Sequence, residues 1–342
     1  MPNRPISVVL ATRHSAKELE LTLASYAQAG TGFELVVVDD AAEDEIRLLC
    51  RRHTGQLEIK YLATPCVGRA AARNRGVRAA DGDLILLADD GGLVSAETLA
   101  SLGGTPVDDV AFLERRGLLT FFGPYLTGAT TRRLANVLAH RPDLGTLVQT
   151  APKTGELLQL VTAEDVRKDL GAVLKAFAAE DLLWERLAPA VAKFGPGLKG
   201  FSMPWIFGVS GYLCVDRIAL LEVGLLDEAA TDWDFDEPGL AYKLHQEGLR
   251  LRLADASVFH QFRYTRSWPS AGVAAIQRFA DVDPVDAWLF ARFLAHDPIV
   301  ELDRIAGSRD GSAPTAENAL KSVCKELMPA ITHDLTIMWS RL

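Results

Sequence analysis

The fold is decided by residues 6–40, which read ISVVLATRHSAKELELTLASYAQAGTGFELVVVDD. The apolar runs 6–11 and 33–38 predict two β-strands. Between the two runs Leu19, Leu23 and Tyr26 recur at helical spacing, as a helix packed on one face of a sheet requires. The strand–helix–strand order predicts a right-handed crossover in a parallel sheet.

The same rhythm continues to residue 90, with further strands predicted at 57–62 and 83–88. Three of the four predicted strands end in polar clusters. Strand one ends in Thr12-Arg13-His14, strand two in Asp39-Asp40, and strand four in Asp89-Asp90. In open sheets of this kind, ligands bind beyond the carboxyl ends of the strands. The sequence therefore predicts the binding site at that edge.

Beyond residue 102 the pattern weakens, and residues 103–200 are predicted to be mainly helical, with helices near 131–140 and 163–194. A compact pattern returns over 207–262, and the chain after 263 is predicted to be helical. Its last segment places an apolar stripe in helical register, which predicts a packing surface, within the chain or in a homodimer. The stripe consists of Leu320, Val323, Cys324, Leu327, Met328 and Ile331.

Composition and motifs exclude several classes of protein. A net charge of −9 and a pI near 5.4 argue against a nucleic-acid partner or broad contact with an anionic membrane. No GxGxxG follows the first strand and no GxxxxGK[ST] occurs, so dinucleotide and P-loop sites lose their main support. The longest uncharged stretch, 201–215, is too short to span a bilayer, and a cytoplasmic location is predicted.

The acidic pair Asp89-Asp90 suits a hard divalent cation, which Mg²⁺ or Mn²⁺ shares between carboxylates and substrate phosphates. The alternative is that such pairs only form turns and cap helices, as Asp often does. Arg69 and Arg73 lie one helical turn apart on the intervening helix and bring guanidinium groups to the same crevice. Both are predicted to bind the nucleotide-sugar, with Arg73 near the nucleoside. The joint pattern favours a metal-diphosphate site.

Four segments in this order resemble family 2 glycosyltransferases of the GT-A fold. They are 6–12 (ISVVLAT), 36–40 (VVVDD), 68–76 (GRAAARNRG) and 80–90 (ADGDLILLADD). The resemblance implies that Thr12, Asp39 and Asp40 contact the nucleoside and that Asp90 holds the metal on the diphosphate. Asp89 would position the donor ribose or sugar.

A second block resembles the acceptor half of the same family. It comprises 211–217 (GYLCVDR), 223–228 (VGLLDE), 236–244 (DEPGLAYKL), Gly248 and His260. The resemblance implies that the pair Asp236-Glu237 supplies the catalytic base, with Glu237 at the usual position. The pair reverses the family's Glu-Asp order, so the two roles can be exchanged. A helix cap is the structural alternative for this pair. His260 is either a further metal ligand or an ordinary hydrogen-bonding residue.

The resemblance implies a Rossmann-like, mostly parallel mixed sheet flanked by helices, with a helical C-terminal extension. The predicted GT-A domain covers 1–262. It divides into a nucleotide-binding half (1–102), a variable helical insert (103–200) and an acceptor-binding half (201–262), and residues 263–342 form the extension.

The function implied is inverting transfer of a sugar from a nucleotide-sugar, UDP-sugar foremost, to a hydroxyl, with Mn²⁺ or Mg²⁺ and a carboxylate base. The acceptor stays open between a carbohydrate, a lipid-linked glycan, a small molecule and a peptide.

Two other functions compete. A catalytically silent, nucleotide-binding scaffold would keep the fold, and a nucleotidyltransferase would need a Gly-rich, Arg-containing loop after strand one that this sequence lacks. Trp205 either stacks on a sugar or lies buried in the core.

Overall fold

The computed structural model describes residues 4–122, 129–145, 158–229, 236–262, 279, 282–295, 297–308, 314–315 and 318–319. None of the helices within these residues combines the length and apolar character that a membrane crossing demands. The cytoplasmic location stays a prediction.

The described residues contain eleven strands. They are β1 (Ile6–Thr12), β2 (Phe33–Asp39), β3 (Ile59–Ala63), β4 (Leu84–Asp89), β5 (Gly92–Leu93), β6 (Asp109–Leu118), β7 (Phe121–Phe122), β8 (Leu158–Gln159), β9 (Ala178–Ala179), β10 (Leu213–Asp216) and β11 (Arg250–Gln261).

Twelve α-helices and two 3₁₀ segments, Pro142–Leu144 and Pro204–Ser210, accompany the strands in this part of the chain. The helices are α1 (Ala16–Ala29), α2 (Asp44–His53), α3 (Arg69–Ala79), α4 (Ala96–Leu102), α5 (Ala129–His140), α6 (Ala163–Lys168), α7 (Leu170–Phe177), α8 (Leu182–Phe194), α9 (Arg217–Glu222), α10 (Asp236–Gln246), α11 (Pro284–Leu294) and α12 (Ile299–Gly307).

The main sheet has the strand order β3-β2-β1-β4-β10-β6-β11-β5, with β9 paired to β6. Strands β3, β2, β1 and β4 are mutually parallel, and β6 is parallel to β11. Strand β10 runs antiparallel to both of its neighbours, β4 and β6. The predicted mixed, mostly parallel sheet is therefore confirmed, as is the strand–helix alternation up to residue 90.

The first strands are apolar along their whole length because both faces of the sheet are covered. In β1, Val9 and Ala11 lie in one core cluster, whereas Val8 and Leu10 lie in the cluster on the other face. Alternate residues of a strand point to opposite faces, so a strand with two buried faces needs apolar residues at every position.

The segment 103–200 differs from the prediction of a helical insert. It contributes β6, ten residues long, to the middle of the sheet. The predicted helix 163–194 is three helices, because Asp169 caps α7 through Ala172 N and Asp181 caps α8 through Leu183 N and Trp184 N.

The described C-terminal helices belong to the main core. Phe290 of α11 packs around Trp205 together with Tyr242 and Phe279, at ring separations of 6.0, 5.6 and 5.0 Å respectively. Trp205 is 1% exposed, so the core interpretation of this residue is confirmed. The predicted stripe from Leu320 to Ile331 lies outside the described residues, and the homodimer stays a prediction.

Candidate active site

The register of the parallel strands brings the predicted polar clusters to one edge. Thr12 of β1 lies opposite Asp39 of β2, and Ala11 lies opposite Asp89 of β4. Asp40 is tied to the same edge, since its backbone N–H donates to the carbonyl of Thr12 at 2.8 Å. The convergence predicted from the strand ends is confirmed.

Asp39 is buried, and both of its carboxylate oxygens accept hydrogen bonds within the chain. Oδ1 accepts from Ala41 N at 3.1 Å, and Oδ2 accepts from Glu43 N and from the Tyr61 hydroxyl, both at 2.7 Å. These bonds shape the turn that leads from β2 into α2. A contact between Asp39 and a nucleoside stays a prediction.

Asp40 shapes the loop that leads into α3. Its Oδ1 accepts from the Thr64 hydroxyl and from Val67 N, both at 2.7 Å, and its Oδ2 accepts from Gly68 N at 3.0 Å. The carboxylate thereby binds backbone N–H groups just before the first turn of α3, where the helix dipole favours negative charge. Its contact with a nucleoside is also a prediction.

Thr12 differs from the two acids beside it. Its side chain is fully buried, and its hydroxyl has no hydrogen-bond partner among the residues that the structure describes. A buried hydroxyl without a partner costs about 1–3 kcal/mol. This cost is recovered if a bound molecule supplies the partner, which agrees with the predicted donor contact.

The two predicted metal ligands lie on different parts of the sheet, Asp90 after β4 and His260 on β11. Asp90 directly follows β4 and is fully buried, and its backbone carbonyl accepts from the Thr22 hydroxyl at 2.7 Å. His260 lies on β11 opposite Gly92, and its Nδ1 is 2.7 Å from the Tyr212 hydroxyl. Among the described residues no group of three or more His, Cys, Asp and Glu side chains could hold a metal ion by itself.

The centre of the site is an ion cluster built on α3. Arg69 Nη2 donates to both oxygens of Glu237, at 2.5 and 2.6 Å, and Arg73 Nη1 donates to Glu237 Oε1. Arg73 Nη2 also donates to Asp89 Oδ1 at 2.7 Å, and Arg69 Nε lies 3.7 Å from Asp236 Oδ2. Five residues predicted from the sequence are thus brought together, and both arginines bind the predicted base.

The buried charges of this cluster shift one another's pKa values. Burial raises the pKa of the Asp89 carboxyl, but the guanidinium groups of Arg69 and Arg73, with a smaller effect of His260, outweigh burial and hold that pKa below its usual value. Burial, followed by repulsion from Arg69, lowers the pKa of Arg73 to about 10. At neutral pH the cluster therefore carries an ionised Asp89 and a protonated Arg73.

Two glycines let the 3₁₀ segment and the turn after it approach this cluster. A Cβ on Gly208 would lie 2.7 Å from the carbonyl oxygen of Glu237 and 2.8 Å from Cα of Pro238. A Cβ on Gly211 would lie 3.0 Å from Asp89 Oδ2, and Gly211 has a φ of +76° that disfavours other residues. The backbone thus closes on the acidic side chains from the acceptor half.

Sequence reasoning missed two residues that organise the site. Asn74 bonds both to the N–H and to the carbonyl of Leu226, at 3.0 and 2.9 Å, and so ties α3 to the acceptor half. Tyr212 holds the His260 ring. Both lie inside the recognised motifs, but their partners are distant in sequence and could not be assigned from spacing.

The sequence is similar to glycosyltransferases. Residues 7–102 match the model of Glycosyl transferase family 2. The chain is 26% identical over 258 residues to the uncharacterized glycosyltransferase YfnE of Bacillus subtilis (strain 168), covering 72% of this chain and 62% of that protein. It is 25% identical over 260 residues to validoxylamine A glucosyltransferase of Streptomyces hygroscopicus subsp. jinggangensis (strain 5008), covering 74% and 54% respectively. The chain therefore spans about half to two thirds of the length of these curated relatives.

Among solved structures, TarS residues 1–349 of S. aureus in complex with UDP-GlcNAc is similar with a TM-score of 0.52 at 15% identity, covering 96% of this chain and 81% of that chain. The fold is that of GT-A glycosyltransferases, and the similarity to glycosyltransferase family 2 lies in residues 7–102. The predicted family resemblance over residues 7–102 and the predicted fold are thereby confirmed, and the sequence relatives named above are glycosyltransferases, in agreement with the predicted enzyme class.

Proposed function

We propose that the protein transfers a sugar, with inversion, from a nucleotide-sugar to a hydroxyl of an acceptor. The observation that carries this proposal is the double contact of Arg73, which donates to Asp89 of the donor motif and to Glu237 of the acceptor motif. Glu237 lies 164 positions from Arg73 in the sequence, and the fold nevertheless joins the two motifs at a single guanidinium. Sugar transfer needs such a junction, because the leaving group and the base must meet at one sugar carbon.

The donor would lie along the edge formed by β1, β2 and β4. We assign Thr12, Asp39 and Asp40 to the nucleoside side of the donor and Asp89 to its ribose or sugar. The unsatisfied hydroxyl of Thr12 supports this placement. Asp39 and Asp40 would act mainly by shaping the loops around the nucleoside, since their carboxylates already accept hydrogen bonds within the chain.

The residues present fit a divalent metal. Mg²⁺ and Mn²⁺ at phosphate-transfer sites are held by one or two carboxylates together with substrate phosphates, so a cage of three protein ligands is not required. Asp90 would hold the ion, with His260 as a second ligand oriented by the Tyr212 hydroxyl at Nδ1. When bound, such an ion neutralises the charge that develops on the departing diphosphate.

The base would come from the pair at the start of α10. As the acceptor oxygen bonds to the anomeric carbon, the bond from that carbon to the diphosphate oxygen breaks, and the hydroxyl proton passes to a carboxylate. We assign this role to Glu237. Asp236, which is also buried at the same helix end, is the second candidate.

The donor is proposed to be a UDP-sugar. TarS, which shares the fold, was solved with UDP-GlcNAc, and a sequence relative is named a glucosyltransferase. UDP-GlcNAc and UDP-glucose are therefore the first donors to screen. The acceptor class stays open between carbohydrate, lipid-linked, small-molecule and peptide hydroxyls.

Calorimetric titration of UDP, GDP and dTDP tests the donor site, with and without Mn²⁺ or Mg²⁺, on the wild type and on Asp90→Ala. We expect one nucleotide to bind in a metal-dependent way and to bind at least about tenfold more weakly to Asp90→Ala, because a metal ligand is lost. Arg78→Gln, on the exposed side of α3, is the matched control. Nucleotide binding that is unchanged by removal of the metal and by Asp90→Ala would refute the metal assignment. Nucleotide binding without any donor turnover would favour the silent scaffold.

A further inference from the structure

We propose that Arg69 is a positioning residue that orients the carboxylate of Glu237, and not a ligand of the donor. The inference rests on the proposed function and concerns the base of the same reaction. It departs from the sequence-based expectation, which placed Arg69 among the residues that bind the nucleotide-sugar.

Glu237 accepts three hydrogen bonds from Arg69 and Arg73. An ionised carboxylate has about four lone-pair positions for donors. Arg69 and Arg73 fill two on Oε1, and Arg69 fills one on Oε2. About one position is left, on Oε2, and that oxygen is the one that can accept the proton of the acceptor's hydroxyl.

These contacts also fix the orientation of the Glu237 carboxylate. Two guanidinium groups that bind one carboxylate fix its plane, because hydrogen bonds from guanidinium are directional and short. The side chain of Glu237 is 2% exposed, so water does not compete for these bonds. The remaining position on Oε2 is therefore held in one direction.

The side chains of Arg69 and Arg73 differ in how deeply they are buried. The Arg73 side chain is fully buried between Asp89 and Glu237, so its loss would remove one of the two cations that neutralise these buried acids and leave only Arg69. The Arg69 side chain is 12% exposed and lies at the first position of α3. Arg69 can therefore be changed with less risk to the fold.

An arginine at the first position of α3 has an electrostatic cost. A cation in the first turn of a helix opposes the helix dipole, and a second cation one turn later adds repulsion. The first turn of α3 contains no acidic residue. The opposing charge comes instead from Asp89 of the donor motif and, in the acceptor half, from Asp236 and Glu237. Arg69 is thus placed where it reaches the base.

Kinetic measurements distinguish a positioning role of Arg69 from a donor-binding role. A residue that binds the donor changes nucleotide affinity when it is removed, whereas a residue that acts through Glu237 changes turnover and loses its effect once Glu237 is removed. The experiment is a double-mutant cycle of Arg69→Gln and Glu237→Gln. The readouts are UDP release from UDP-GlcNAc and UDP-glucose, and the Kd of UDP in the presence of Mn²⁺.

We expect Arg69→Gln to lower kcat by about 10- to 100-fold, as small misplacements of a reacting group do, and to leave the Kd of UDP within about twofold. In the Glu237→Gln background the same change should lower kcat by less than about threefold. Arg69→Lys should recover part of the loss, and Arg78→Gln, which removes an exposed pair with Glu228, should match the wild type. If Arg69→Gln does not fold, Arg69→Lys replaces it in the cycle.

A tenfold weaker Kd with unchanged kcat would overturn the proposal and make Arg69 a donor ligand. Equal losses of kcat in both backgrounds would also overturn it, because Arg69 would then act independently of Glu237. A wild-type protein that binds UDP but releases no UDP from either nucleotide-sugar would refute the proposed function itself. That result differs from a double-mutant cycle in which the two substitutions act independently.

Discussion

Replacing Gly208 by alanine tests how closely the 3₁₀ segment must approach the start of α10. The added Cβ would lie 2.7 Å from the carbonyl oxygen of Glu237 and 2.8 Å from the carbonyl carbon of that residue. Ordinary contact begins at 3.4 Å, so the two backbone segments would have to separate by about 0.7 Å. Neither atom belongs to a flexible side chain, and relief therefore requires movement of the helix start.

Overpacking of this kind costs about 1–3 kcal/mol of unfolding free energy. The same movement displaces Glu237 and should lower donor turnover by more than about tenfold, while the Kd of UDP changes little. Urea denaturation and UDP release from UDP-GlcNAc and UDP-glucose measure the two effects.

Gly239→Ala is the matched control, since nothing lies within 4 Å of its added Cβ and the residue lies in the first turn of the same helix. We expect this variant to be about 0.5–1 kcal/mol more stable than the wild type and fully active. A Gly208→Ala protein as stable and as active as Gly239→Ala would refute the close approach.

Two further changes test other parts of the account. Asp40→Ala should lower the unfolding free energy by about 3 kcal/mol or more, measured by urea denaturation, because three donors, two of them buried, lose their acceptor. A loss below about 1 kcal/mol would contradict the role of Asp40 in the loop before α3. Burial and the neighbouring Asp283 raise the pKa of Asp286 to about 6. The folded protein therefore keeps a proton that the unfolded chain releases near pH 4, and stability falls as the pH rises from about 4 to 6. Asp286→Asn should raise the Tm relative to the wild type at pH 8 more than at pH 4, and an equal change at both pH values would contradict this shift.

The donor half could be predicted because its information is local. In β1, β2 and β4 a continuous apolar run ends in polar residues, and the parallel register alone then places Thr12 beside Asp39. A structure was not needed to know that these side chains share an edge.

Strand β6 could not be predicted because its stabilising contact is with a residue distant in the sequence. Its second half contains Glu114, Arg115 and Arg116, which resemble a solvent-exposed segment. In the fold, Arg115 is paired with Asp181 at 2.7 Å, a residue 66 positions away. Charge neutralisation by a distant partner makes the strand compatible with the sheet, and no local pattern shows it.

The candidate site lies between these two cases. The spacing of Arg69 and Arg73 correctly placed both guanidinium groups at the crevice. It did not show that their partners are the acids at the start of α10, because that contact depends on how the acceptor half packs on α3. The predicted residues were therefore brought together, with a different set of contacts.

The central claim, that Glu237 accepts the proton in a sugar transfer at this edge, is tested most directly by one comparison. The rate of UDP release from UDP-GlcNAc and UDP-glucose would be measured for the wild type and for Glu237→Gln, with the Kd of UDP determined on the same preparations. We expect Glu237→Gln to lose turnover by about 100-fold or more and to retain UDP binding, because only the base is removed. Turnover within a few-fold of the wild type in Glu237→Gln would contradict the assignment of the base.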